Sequence, residues 1–375
     1  MTILTLPPTD WARIAISGPT EEQRPATVLL VYRLWLVAFI LKMLGSTWDM
    51  SWHFKWLRDD LAPPHLLNTV GTVLAVALVI FQVRTGVGVD KRARNLIVLG
   101  TGMFLIAIPI DILNHRINGL DITAWSPSHA LLYIGTAFMI LGVAHGFGIS
   151  TAAGRVRTIG LGLAWFFFLE NVLFPSQHQE YGVLSLKAYL AGKPYAEPIL
   201  LKFAADQLGR PVDTIAITNF SLPVGSWVYP VWLVGAAMLT LVAARIFVGA
   251  RWTATVLAAA YVAYRCVVWG ILYGTGFPPS AVPFALLAGA IVVDLAFLLG
   301  TVSGAERTLP GRVGVAFLGA TLTAAALGAA LYIQAELVAP PVRYAVLPLA
   351  ALALAAGWTA LTVRRDPAVA SSPQR

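Results

Sequence analysis

Apolar runs of about 20 residues recur along this chain from residue 27 to residue 363, separated by short polar stretches. A helix of that length crosses the hydrocarbon core of a bilayer. Ten such runs are legible, at 27–46, 65–83, 95–113, 128–150, 157–174, 224–248, 253–274, 280–302, 312–333 and 342–363. The expected fold is therefore all-α: a polytopic transmembrane helical bundle of about ten spans. Its first four spans form two similar helical hairpins, read as an internal duplication. The expected divisions are 1–26, a cytoplasmic N-terminal segment; 27–174, the hairpin repeats (spans 1–5); 175–223, an extracytoplasmic loop; 224–363, a C-terminal bundle (spans 6–10); and 364–375, a cytoplasmic tail. Within 175–223, Pro198 marks the start of a short helix carrying Leu200, Leu201, Ala204 and Leu208, a candidate lid or interfacial segment.

Composition agrees with this pattern. The chain is 58% hydrophobic and 12% charged, about half the charge of an ordinary soluble domain. Its net charge of +8 comes largely from short loops, so it reports orientation and not nucleic-acid binding. Arg84, Lys91, Arg92 and Arg94, then Arg155 and Arg157, Arg251, Arg307 and Arg312, and Arg364 and Arg365 all fall on one side. The positive-inside rule makes that side cytoplasmic. The expected location is a bacterial inner membrane, with residues 47–64, 114–127 and 175–223 facing the periplasm or outside. The first run reads as a span and not as a cleaved signal.

Two of the outward turns repeat one pattern. The first holds Asp49, His53, Asp59 and, after Pro63-Pro64, His65; the second holds Asp111, His115, Asp121 and, after Pro127-Ser128, His129. In each, Asp and His stand four residues apart and share one helix face. The prolines then start the next helix, so the second His falls in its first turn. Charged groups at a membrane edge are costly unless paired or bound to an ion. The pattern therefore points to metal ligation by Asp49, His53 and His65, and by Asp111, His115 and His129. Asp59 and Asp121 are expected to orient an imidazole, to ligate the ion directly or to handle protons. Glu170 and His178, near Glu180, are candidates to complete or bridge a site. The sole cysteine, Cys266, rules out a thiolate cluster, so the ligands are imidazole and carboxylate, which suit copper, zinc or iron. His145 reads as structural. Arg265 and Asp294, both inside apolar runs, are expected to form a buried ion pair that fixes helix register or, alternatively, to mark a proton or substrate path.

The run Asp49-x-x-Trp52-His53, Arg58-Asp59, Pro64-His65 resembles the metal-site segment of the C subunit of particulate methane and ammonia monooxygenases. The second copy, ending Pro127-Ser128-His129, is similar. The likeness covers these two short segments alone. It implies copper held by Asp49, His53 and His65, or by Asp111, His115 and His129. It also implies oxidation of a small apolar or lipid substrate by dioxygen, with partner subunits or a homo-oligomer. A zinc-dependent hydrolase or lipid-modifying enzyme, with Asp59, Asp121 or Glu180 as base, is the second reading. A non-enzymatic transporter or assembly factor is the third.

Overall fold

The computed structural model describes residues 8–57, 61–118 and 123–363. It is all-α. Ten of its helices are long and apolar enough to cross a membrane, which makes the chain an integral membrane protein. These helices correspond one to one with the ten apolar runs. The chain divides into two compact units, Met1–Pro175 with Pro194–Phe220, and Ser176–Lys193 with Ser221–Arg375.

The first unit opens with α1 (Pro8–Ser17). Next come α2 (Arg24–His53), α3 (Pro63–Thr85), α4 (Lys91–Asn118) and α5 (Pro127–Ser150). The main packing partners are α2 with α3 and α4 with α5. Prolines set the start of both returning helices. Pro63-Pro64 opens α3 and Pro127 opens α5, where a missing N–H costs nothing because no intrahelical acceptor exists. Ser126 caps α5 by accepting from His129 N–H. Close helix approach depends on glycine. A Cβ on Gly135 of α5 would meet the carbonyl oxygen of Gly100 on α4 at 2.7 Å, so neither helix could come as near with a larger residue.

At the opposite end of the hairpins, Asp90 precedes α4 and accepts from Ala93 N–H at 2.7 Å. His145 Nε2 lies 3.1 Å from its other oxygen. The Ala93 amide, with His145 contributing, holds the Asp90 carboxyl below the usual carboxylate range. His145 is thus tied to a helix cap, in keeping with a structural role.

Helix α6 (Arg155–Leu190) runs 36 residues, about 54 Å at 1.5 Å per residue. The apolar run predicts a span ending near 174, yet the helix continues sixteen residues further. Ser176, Gln177, His178, Gln179 and Glu180 interrupt the hydropathy, but every one is buried. Their polar groups are held in protein rather than in lipid, so the helix need not stop. The 175–223 region is therefore the end of α6 followed by α7 (Pro198–Asp206) and α8 (Thr214–Ser221). Helix α7 starts at Pro198 as its sequence predicts and buries Leu200, Leu201 and Ala204, whereas Leu208 lies past its end and is exposed.

The second unit contains five spans. The first is α9 (Val228–Val231), a π-helical stretch (Trp232–Ala237) and α10 (Met238–Val248) in succession. The others are α11 (Thr253–Gly274), α12 (Ala285–Ser303), α13 (Leu309–Leu337) and α14 (Leu347–Val363). Among the described residues two ion pairs organise this unit, one of them fully buried, and neither is the expected one. Asp294 meets Arg245 Nε at 3.3 Å and accepts from Thr255 N–H and Thr255 Oγ1, both at 2.8 Å. It thereby caps the start of α11 from the neighbouring helix. Arg265 lies ten residues past Thr255, about 15 Å further along α11, out of its reach. Its guanidinium instead contacts Glu180 at 2.8 Å, Ser280 Oγ at 2.7 Å and Tyr261 OH at 3.1 Å. The expected Arg265–Asp294 pair is thus replaced by two pairs, because the helix register places the two residues at different depths.

Candidate metal centre

His53 is the last residue of α2, Asp49 lies one turn before it, and His65 is the third residue of α3. The hairpin turn brings all three to one point. Asp49 Oδ1 is 2.8 Å from His65 Nε2 and 3.5 Å from His53 Nε2. The two imidazole rings stand at 88° with centroids 6.1 Å apart. One ligand atom from each residue falls within 4.8 Å of the others. Nitrogen and oxygen ligands at about 2.0–2.2 Å from one ion stand roughly 3 Å apart, so small side-chain adjustments close the set on a cation. The three side chains are about one-fifth exposed, leaving one side of the cluster open.

The surroundings fix this geometry. Trp48, Trp52 and Trp56 line one strip of α2 and its extension, with ring centroids 6.1 and 4.4 Å apart. Trp56 Nε1 donates to Glu197 at 2.7 Å, and Glu197 N–H donates to Lys55 carbonyl at 3.0 Å. These bonds fasten the residue before α7 to the chain just past His53. Beneath the cluster, Lys42 donates to Asn68 at 3.2 Å and to Thr72 at 3.1 Å, with its ammonium 3.5 Å from the Phe104 ring centroid. Lys42 and Asp49 are seven residues apart, two turns on one face, so a polar seam runs from the cluster down the α2–α3 interface. The motif reading passed over Lys42. Its heptad spacing from Asp49, inside an otherwise apolar run, is the signal that marks it.

Gly45 allows this seam to close. A Cβ there would meet Asn68 N at 2.8 Å and Pro64 O at 2.9 Å, both of them backbone atoms that cannot swing aside. Gly45→Ala is expected to separate α2 from α3 at the cluster, costing about 1–3 kcal/mol and pulling His65 away from Asp49 and His53. A detergent unfolding titration checks this; an unchanged midpoint would show that the close approach does not matter.

The second hairpin is arranged differently. His129 Nδ1 lies 2.9 Å from Thr123 carbonyl and 3.0 Å from Ser126 Oγ. The carbonyl can only accept, so this bond places the Nδ1 proton and turns Nε2 toward Asp111, 3.9 Å away. Tyr133 stacks on the ring at 6.5 Å, and Asn171 donates to Tyr133 carbonyl at 3.1 Å. Helix α4 carries Pro109 just before Asp111, which removes one backbone hydrogen bond there. His115 lies in α4, but its side chain is outside the described residues, as are Asp59 and Asp121. Glu170 and His178 are buried on α6. Among the described residues, Asp49, His53 and His65 form the only group of three such ligands within reach of one ion. Glu180, a candidate base in sequence, is instead engaged by Arg265 and by Tyr229 OH at 3.0 Å.

Comparison with protein-family models, with curated proteins and with solved structures returns no match to this chain.

Proposed function

We propose that this chain is an integral membrane metalloprotein in which Asp49, His53 and His65 hold a copper ion, and that it acts as a monooxygenase-like enzyme on a small apolar or lipid molecule. The observation that carries the reading is the shared carboxylate oxygen: Asp49 Oδ1 faces two imidazole Nε2 atoms at 2.8 and 3.5 Å. Two imidazoles and one carboxylate on an ion leave coordination positions open, as catalytic sites require. The likeness of the motif to copper membrane monooxygenases favours copper over zinc or iron. Bound copper would supply the redox chemistry that dioxygen needs to oxidise a C–H bond. The residues of the chain do the rest. Asp49 balances ionic charge at a costly position. The Trp48–Trp52–Trp56 strip supplies an apolar wall beside the ligands. The Pro63-Pro64 turn holds His65 in place.

Elemental analysis of protein purified in mild detergent tests this. About one copper per chain, bound tightly enough to survive gel filtration, is the expected result. Stoichiometric zinc would instead favour a hydrolase or lipid-modifying enzyme, because zinc activates water without redox chemistry. Neither metal, before or after reconstitution, would end the metalloprotein reading.

A further inference from the structure

In the first unit, a groove of about 270 Å³ opens between α2, α5 and α6, away from the His/Asp cluster. Leu29 and Leu36 of α2, Val143 and Phe147 of α5, and Ile159 and Leu163 of α6 form its apolar wall. Its volume falls just below the roughly 300–1,000 Å³ of pockets that enclose whole small molecules, which suits part of an acyl chain. One charge interrupts the wall, Arg33. It is exposed, nine residues past Arg24, and so about 13 Å along an apolar helix.

Arg33 differs from three other cations that lie well within the spans. Lys42 has Asn68 and Thr72, Arg245 has Asp294, and Arg265 has Glu180. Arg33 has no side-chain hydrogen bond or ion pair among the described residues. An arginine in that setting is costly unless it reaches an anion, and its long stem lets it bend toward the headgroup layer. The groove adjoins the starts of α2 and α6 and the end of α5, the arginine- and lysine-rich side of the hairpins. Basic pockets between spans on that side recognise anionic headgroups. The neighbouring hydroxyl is already committed, since Tyr32 donates to Gly88 carbonyl at 2.7 Å, leaving Arg33 as the charge available at the groove.

We infer that this groove is a binding site for an anionic phospholipid, one acyl chain lying against Leu36, Phe147 and Leu163 and the phosphate meeting Arg33. The site is independent of the proposed metal function, and its test needs no metal. Native mass spectrometry of the full chain in detergent, titrated with phosphatidylglycerol and phosphatidylcholine of identical chains, reads it directly. The expected result is one phosphatidylglycerol bound about fivefold more tightly than phosphatidylcholine, as one arginine near the headgroups contributes. Arg33→Gln should abolish that preference, and Leu163→Trp, which fills the groove, should weaken binding of both lipids. Glycerophosphoglycerol, the same headgroup without chains, should not displace the lipid at equal concentration. Equal affinity for the two lipids, an undiminished preference in Arg33→Gln, unchanged binding in Leu163→Trp, or displacement by the chainless headgroup would each overturn the assignment. Arg33 and Leu163 are both exposed, so neither change threatens the fold, and the melting temperature of each variant checks this.

Discussion

If Asp49, His53 and His65 hold copper as proposed, Asp49→Ala is expected to empty the site. Asp49 contributes the one oxygen that both imidazoles approach. On the proposed reading its loss removes a ligand and the negative charge that would offset the ion, leaving two imidazoles. Removing an outer partner of a metal ligand typically costs about 10–100-fold in affinity, so losing a ligand should cost more than about 100-fold. Copper content measured after gel filtration should fall to background. His145→Ala, at the far end of the hairpins beside Asp90, should keep the metal and serves as the folded control. Full metal retention in Asp49→Ala, with a monodisperse profile, would remove the centre from this position.

The second large effect is expected at the buried Arg265–Glu180 pair. Arg265 and Glu180 are both fully buried, 2.8 Å apart. Arg265→Met would leave the Glu180 carboxylate with Tyr229 OH as a neutral partner and no counter-charge. Breaking a buried pair in this way costs about 3–5 kcal/mol. The double variant Glu180→Leu with Arg265→Met should recover most of that loss, because replacing both charges with apolar side chains avoids the uncompensated ion. Unfolding in mixed detergent reads both variants. A single variant costing less than about 1 kcal/mol, or a double variant no better than the single, would show that the pair does not carry this energetic weight.

The two centres illustrate different kinds of legibility. Asp49 and His53 sit four apart on one helix and His65 follows a proline turn, so local geometry brought them within reach of prediction. Glu180 and Arg265 are 85 residues apart, and nothing in their local patterns pairs them. Hydropathy alone would pair Arg265 with Asp294, since both lie inside neighbouring apolar runs. The register of α11 against α12 sets Asp294 beside Thr255 instead. Register depends on side-chain packing along the whole interface, which hydropathy does not encode.

What the sequence determined by itself was the number of spans, the proline-initiated starts of α3, α5 and α7, and the Asp–His spacing at the hairpin turns. These are consequences of bilayer thickness, of φ restriction and of helix periodicity, all properties of short segments. Tertiary structure decided which charges meet, how far α6 continues beyond its apolar run, and that Lys42 joins the seam under the cluster. Burial inside protein can satisfy polar groups that lipid would reject. The cost of Gln177, His178 and Glu180 in a helix is therefore set by neighbours distant in the chain, not by their own sequence.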